Sequence, residues 1–169
     1  MSLTPPANGM AAAVWGLGIT QIIGYGTLYY SFGTLAPGMA ADFGWSEQWV
    51  FGVLSFSLLI GGLVAPLSGS LADRFGAARI LSFGSVGAAL ALALCALAPE
   101  RVSFVFGLIA IEIASAFALY ATAFAALAQA TPQGAQRSIT HLTLIAGFAS
   151  TIFWPLTSWL VGHFTWREI

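Results

Sequence analysis

Gly69-Ser70-Leu71-Ala72-Asp73-Arg74-Phe75-Gly76-Ala77-Ala78-Arg79 gathers three charged residues into one short stretch of a chain that has few. On either side, residues 48–72 and 80–99 contain no Lys, Arg, Asp or Glu. A bilayer core of about 30 Å takes roughly 20 apolar residues at helical rise, so each flank is long enough to cross and the charged stretch reads as the turn joining two crossings. A helix satisfies its own backbone within hydrocarbon. Further out, residues 1–41 and 138–166 are also free of charge.

Composition supports the same class. Hydrophobic residues make up 59% of the 169 and charged residues 7%, with mean hydropathy +0.89, far from the roughly 25% charge of a soluble domain. The expected fold is all-α, a polytopic membrane helix bundle with spans at about 11–35, 47–72, 79–98, 102–130 and 138–163. The alternating pattern of a transmembrane barrel is absent. The N-terminus lacks the basic region of a signal peptide, and the apolar run after it is too long for one, so it is read as the first span. Net charge is −1 without a single Lys, which argues against nucleic acid as a partner. Cys95, alone inside an apolar segment, reads as a packing residue. No metal-ligand spacing, phosphate loop or nucleophile with a base is present, so neither enzyme, metal nor cofactor is expected.

Pro and Gly punctuate the connections. The first span is expected to end at Ala36-Pro37-Gly38; Ser46 is placed to cap the second, with Glu47 at its positive end. Ala98-Pro99-Glu100-Arg101 and Thr131-Pro132-Gln133-Gly134 separate the later spans. Small residues recur every fourth position, as helices packing in lipid require. Ser57, Gly61, Ala65 and Gly69 form one such stripe, which reaches Asp73 one turn later. Ala110, Ala114, Ala118, Thr122, Ala126 and Ala130 form another. Pro66 and Pro155, inside the second and fifth spans, each remove a backbone donor and are expected to kink them. Trp15, Trp45, Trp49 and Trp166 fall near span ends, where aromatic belts form, and Trp154 and Trp159 lie deeper.

The 69–79 turn resembles the loop signature of the major facilitator superfamily, G-x-L-x-D-R-x-G-x-R/K-R/K, with Ala78 in place of the first of two basic residues. Its position between the second and third spans is that of the family, and helix order and length resemble the family along the whole chain. Trp166-Arg167 is similar to the G-W-R with which the sixth helix of these transporters begins, Thr165 replacing Gly. Gln21-Ile22-Ile23-Gly24-Tyr25-Gly26-Thr27-Leu28-Tyr29-Tyr30 is similar to bacterial members of the monocarboxylate and oxalate/formate branch. The resemblance implies that Gly69, Asp73, Arg74, Gly76 and Arg79 lie on the cytoplasmic side of the inner membrane with the N-terminus. There the motif works against a second helical half to balance outward-open and inward-open forms. Counting Arg74, Arg79 and Arg137 inside against Arg101 and Arg167 outside gives only slight support under the positive-inside rule.

Glu112 is the one formally charged residue well inside a span, where a carboxylate normally faces a cavity, finds a partner or is protonated. Ala116, Tyr120 and Phe124 follow it at helical spacing. In the family the fourth helix often carries R-x-x-x-G; Glu112 and Ala116 hold those two positions, so the family's Arg role does not transfer. A carboxylate there suits proton coupling or a cationic group better than an anion, which pulls against the monocarboxylate resemblance of the first span. Gln21, Tyr25 and Tyr29 share a face and are candidates to touch substrate, or to bond between helices. His141 and His163 read as interfacial.

The resemblance implies secondary active transport of a small-molecule substrate by alternating access, with membrane lipid around the bundle. Members usually have about twelve helices in two six-helix halves, so five spans match part of the N-terminal half, and the C-terminal half is expected as a missing partner. The alternatives are a standalone five-span assembly or regulatory protein and an oligomeric channel.

Overall fold

In the computed structural model, which describes residues 7–169, the charge-free stretches fold as helices. The first span, Ala11–Phe43, combines α1 (Ala7–Tyr25), a π-helical stretch (Gly26–Tyr30) and α2 (Ser31–Phe43). α3 (Glu47–Phe75) is the second and α4 (Ala77–Ala96) the third; α5 (Arg101–Ala118) with α6 (Tyr120–Ala130) form the fourth, and α7 (Ala135–Ala146) with α8 (Phe148–Val161) the fifth. All five are long and apolar enough to cross a membrane, and the chain is an all-α, multi-pass bundle.

The first span runs on past residue 35, where it was expected to stop. Pro37 sits inside α2; it removes one donor from a helix that ends instead at Gly44. That glycine has φ 61°, and Trp45 N–H donates to Ala40 O at 2.9 Å, closing the helix with a left-handed glycine cap. Ser46 holds the extended conformation of an N-cap but makes no capping bond through its side chain. The α3 and α8 helices continue unbroken through Pro66 and Pro155.

Close backbone approach holds the bundle together. A Cβ on Gly84 would lie 2.5 Å from the Phe117 carbonyl carbon, one on Gly107 2.9 Å from Cys95 Cα, and one on Gly61 2.8 Å from Glu112 O. The third and second spans thus press against the fourth through glycines, as lipid-embedded helices without a hydrophobic drive must. Two hydroxyl pairs add lateral ties: Ser31 with Thr157 at 2.9 Å and Ser68 with Thr122 at 3.1 Å.

The expected stripe on α3 divides. Ser57 and Gly61 are buried, whereas Ala65, Gly69 and Asp73 are exposed, and the buried line continues through Ser68 and Ala72. A step of four residues turns a helix by about 400°, so a four-residue stripe drifts by about 40° per step and winds off the contact face, whereas alternating steps of four and three stay on it.

At the end of the bundle holding Gly44 and Pro99, arginines tie the connections. Arg167 Nε pairs with Asp42 Oδ2 at 2.8 Å, and its Nη1 donates to Ala96 O at 2.7 Å and Ala98 O at 2.8 Å. Trp166 Nε1 donates to the same Asp42 oxygen. Arg101 Nε donates to Phe43 O at 2.8 Å. Phe43, Trp45, Phe104 and Trp166 form an aromatic cluster beneath, with ring centroids between 4.7 and 6.1 Å apart.

Candidate functional site

Three spans are interrupted well inside their length. The first changes to π-helix at Gly26–Tyr30, the fourth is extended at Leu119 (φ −99°, ψ −163°), and the fifth turns at Gly147. None of these interruptions lies at a proline. Irregular backbone at membrane depth survives only where protein or a cavity satisfies its polar groups. At Leu119 that partner is Gln21, whose Nε2 donates to Ala118 O at 3.0 Å. Gln21 is 1% exposed, and its Oε1 has no hydrogen-bond partner among the described residues.

Around this bond the aromatic candidates separate. Tyr25 packs on Tyr120 with centroids 4.4 Å apart, Tyr120 stacks on Phe124 at 5.0 Å, and Tyr30 lies 6.4 Å from Tyr25. Tyr29 points outward, 51% exposed, with its ring edge-on to Tyr30. Tyr30, in the quoted first-span segment but not a sequence candidate, thus joins Tyr25 and Tyr120. The π-helical turn carries the signal only in retrospect: its extra residue rotates Tyr29 and Tyr30 relative to Tyr25.

Glu112 sits on α5, about two turns before the Leu119 break. It is 7% exposed and the only buried charged side chain among the described residues. It faces a cavity of about 310 Å³ whose wall also includes Thr27, Ser31, Thr157 and Leu108. Its carboxylate makes no ion pair among the described residues. Tyr120 and Phe124 are not in that wall. The extended residue at 119 ends the straight helical face that would have joined them to Glu112.

At the other end, α3 and α4 are joined by Gly76 alone, with φ 93°, a value that L side chains rarely adopt. Asp73, Arg74 and Arg79 are all exposed. Arg74 lies over the Phe75 ring at 5.1 Å. Asp73 makes no ion pair among the described residues, and nothing lies within 4 Å of a Cβ placed on Gly69. The first N–H of α4 is bonded instead by Gln129, a residue that no sequence pattern singles out: Ala77 N donates to Gln129 Oε1 at 2.9 Å. His141 is exposed near the start of the fifth span, and His163, beyond its end, packs with its ring tilted against Trp159. Among the described residues no cluster of His, Cys, Asp and Glu has metal-binding spacing.

A family model described as Major Facilitator Superfamily matches residues 7–169. No curated protein and no solved structure matches the chain.

Proposed function

The chain belongs to the Major Facilitator Superfamily, whose members move small solutes across membranes, and on that premise we propose that it works in proton-coupled transport with Glu112 as the coupling carboxylate. The observation that carries this reading is the placement of Glu112: buried in the fourth span, in no ion pair among the described residues, and facing a cavity whose wall also carries the hydroxyls of Thr27, Ser31 and Thr157 and Arg167, which pairs with Asp42 instead. A carboxyl group so placed can gain and lose a proton as the cavity opens to one side or the other. The Tyr25, Tyr30 and Tyr120 rings, beside the two interrupted spans, provide the surface for substrate. Interrupted spans mark binding sites in transporters because they bring backbone polar groups to the midplane.

Alternating access requires a second set of helices as the opposite wall. The exposed Ala65, Gly69 and Asp73 line of α3 faces that partner, and the Gly69–Arg79 turn lies on the cytoplasmic side of the inner membrane. A carboxylate where many members carry Arg favours a proton or a cationic group over an anion, so the monocarboxylate branch is not part of this reading.

The test is proton entry into proteoliposomes holding a trapped pH-sensitive dye, challenged from outside with a panel of amine, sugar and carboxylate solutes. Wild-type protein should acidify the lumen with at least one solute, and Glu112→Gln should not, at equal protein content. Solute-driven acidification that persists in Glu112→Gln would remove Glu112 from the coupling role.

A further inference from the structure

The turn between the second and third spans is anchored from a span it is not part of. Gln129, in the last turn of α6, uses both ends of one amide: Oε1 accepts from Ala77 N at 2.9 Å, and Nε2 donates to Ala72 O at 3.1 Å. Ala72 is near the last carbonyls of α3 and Ala77 carries the first N–H of α4, so a single side chain caps one helix at its C-terminus and the next at its N-terminus. Both alanines are buried, 1% and 0% exposed, and pack with Ala126 one turn before Gln129. The methyl groups allow α6 to come close enough for the amide to reach both sites. On the solvent side of the same turn, Asp73, Arg74 and Arg79 stand exposed.

We propose that Gln129 is the positioning residue of the Asp73–Arg79 turn. It fixes the inner side of the turn against the fourth span and thereby sets the direction in which the charges are presented. The turn has little else to hold it: one residue, Gly76, links the helices, with its own bonds to Ala72 O and from Arg79 and Ile80. The consequence is a mechanical connection. α6 begins beside the Leu119 break, carries Tyr120 at its first position and ends at the clamp, so a shift of α6 driven at Tyr120 moves the turn. This last step rests on the transport reading; the clamp itself does not.

The test uses a nitroxide label on Ala78→Cys, with Cys95→Ala to leave a single thiol, in the membrane-inserted protein. With Gln129 present, the label should show one restricted population. Gln129→Leu removes both arms, and the ratio of restricted to mobile label should fall about tenfold, as expected for leaving the buried Ala77 N–H unpaired while Ala72 O keeps its bond from Gly76 N. Gln129→Glu keeps an acceptor for Ala77 N and loses the donor to Ala72 O, so its ratio should fall between the two. Should Gln129→Leu fail to accumulate, the Gln129→Glu comparison decides. An unchanged restricted population in the variant measured overturns the proposal. Solute-driven proton entry measured on the same variants separates the two readings. A mobile turn with slower transport at unchanged half-saturation supports the whole connection. A mobile turn with unaltered transport confirms the clamp and overturns its role in transport.

Discussion

Gln21 in the first span donates its side-chain amide to the carbonyl of Ala118 in the fourth at 3.0 Å, across 97 residues of sequence, where the fourth helix is interrupted. The bond satisfies an acceptor that the break at Leu119 releases inside an apolar bundle. Gln21→Leu keeps much of the volume and removes the donor. Stability should fall by about 1–3 kcal/mol, the usual penalty for a buried polar group left unpaired, read as a lower unfolding midpoint in lipid nanodiscs. An unchanged midpoint would mean that the carbonyl has another donor.

Glycines on the contact faces should not tolerate a methyl group. Gly84→Ala sets a Cβ 2.5 Å from the Phe117 backbone, which has no rotamer to yield; separating the third and fourth spans should cost roughly 1–3 kcal/mol. Gly69 has nothing within 4 Å, so Gly69→Ala should leave the unfolding midpoint unchanged or slightly raised. The pair is compared by thermal unfolding in nanodiscs. Equal loss in both variants would contradict the packing described.

Arg167 serves the ends of two spans, yet its ion pair is the smaller part. Its side chain and that of Asp42 are 31% and 42% exposed, and pairs so placed contribute about 0–1 kcal/mol. The bonds to Ala96 O and Ala98 O are part-buried. Arg167→Lys loses the planar fork that reaches them and the aspartate together, and should destabilise by about 1 kcal/mol more than Asp42→Asn. A ranking in the opposite order, by chemical unfolding, would place the stabilisation in the charge.

The Thr165–Glu168 turn should respond to acid. Glu168 Oε2 accepts from Thr165 N at 2.8 Å and from Thr165 Oγ1 at 2.9 Å, and these bonds hold its carboxyl below the usual carboxylate range. A depressed value means that the turn's contribution is complete above the ordinary Glu range and is lost as pH falls through the folded value. The 5-fluorotryptophan resonance of Trp166 should therefore titrate with a midpoint below about 4.3, the ordinary Glu value. Glu168→Gln should abolish that step, and a midpoint at or above the ordinary value would contradict the bonding.

The five spans were legible because charge is excluded from hydrocarbon whatever the partners are, so residues 48–72 and 80–99 announce themselves. Local punctuation was less informative. Pro37 was expected near a helix end and lies inside α2, because helix length was decided by the left-handed cap at Gly44. The interruption at Leu119 carries no Pro or Gly, and the carbonyl beside it is bonded by Gln21, far away in sequence. The same break removes Tyr120 and Phe124 from the cavity that Glu112 faces. Gln129 lies in an alanine-rich helix end, and Arg167 finds Asp42 across 125 residues; such pairings exist only once the spans have assembled.

A helix broken by proline is broken for good, because the missing donor is written into the covalent chain. The fourth span differs. Every residue from Ala118 to Thr122 keeps its amide hydrogen, and the Ala118 oxygen, now held by Gln21, is the acceptor that the Thr122 amide would meet in an uninterrupted helix. Closing the discontinuity therefore needs no missing donor: the Thr122 amide would compete with Gln21 for the Ala118 oxygen. The Ala116 oxygen, now bonded by the Thr122 hydroxyl at 3.3 Å, would return to the Tyr120 amide, so only hydrogen bonds are exchanged. Amide exchange at Thr122 measures which donor prevails: slow exchange in one access state and fast exchange in the other would mark a span that re-forms and parts within each cycle, and equal rates would mark a permanent bend.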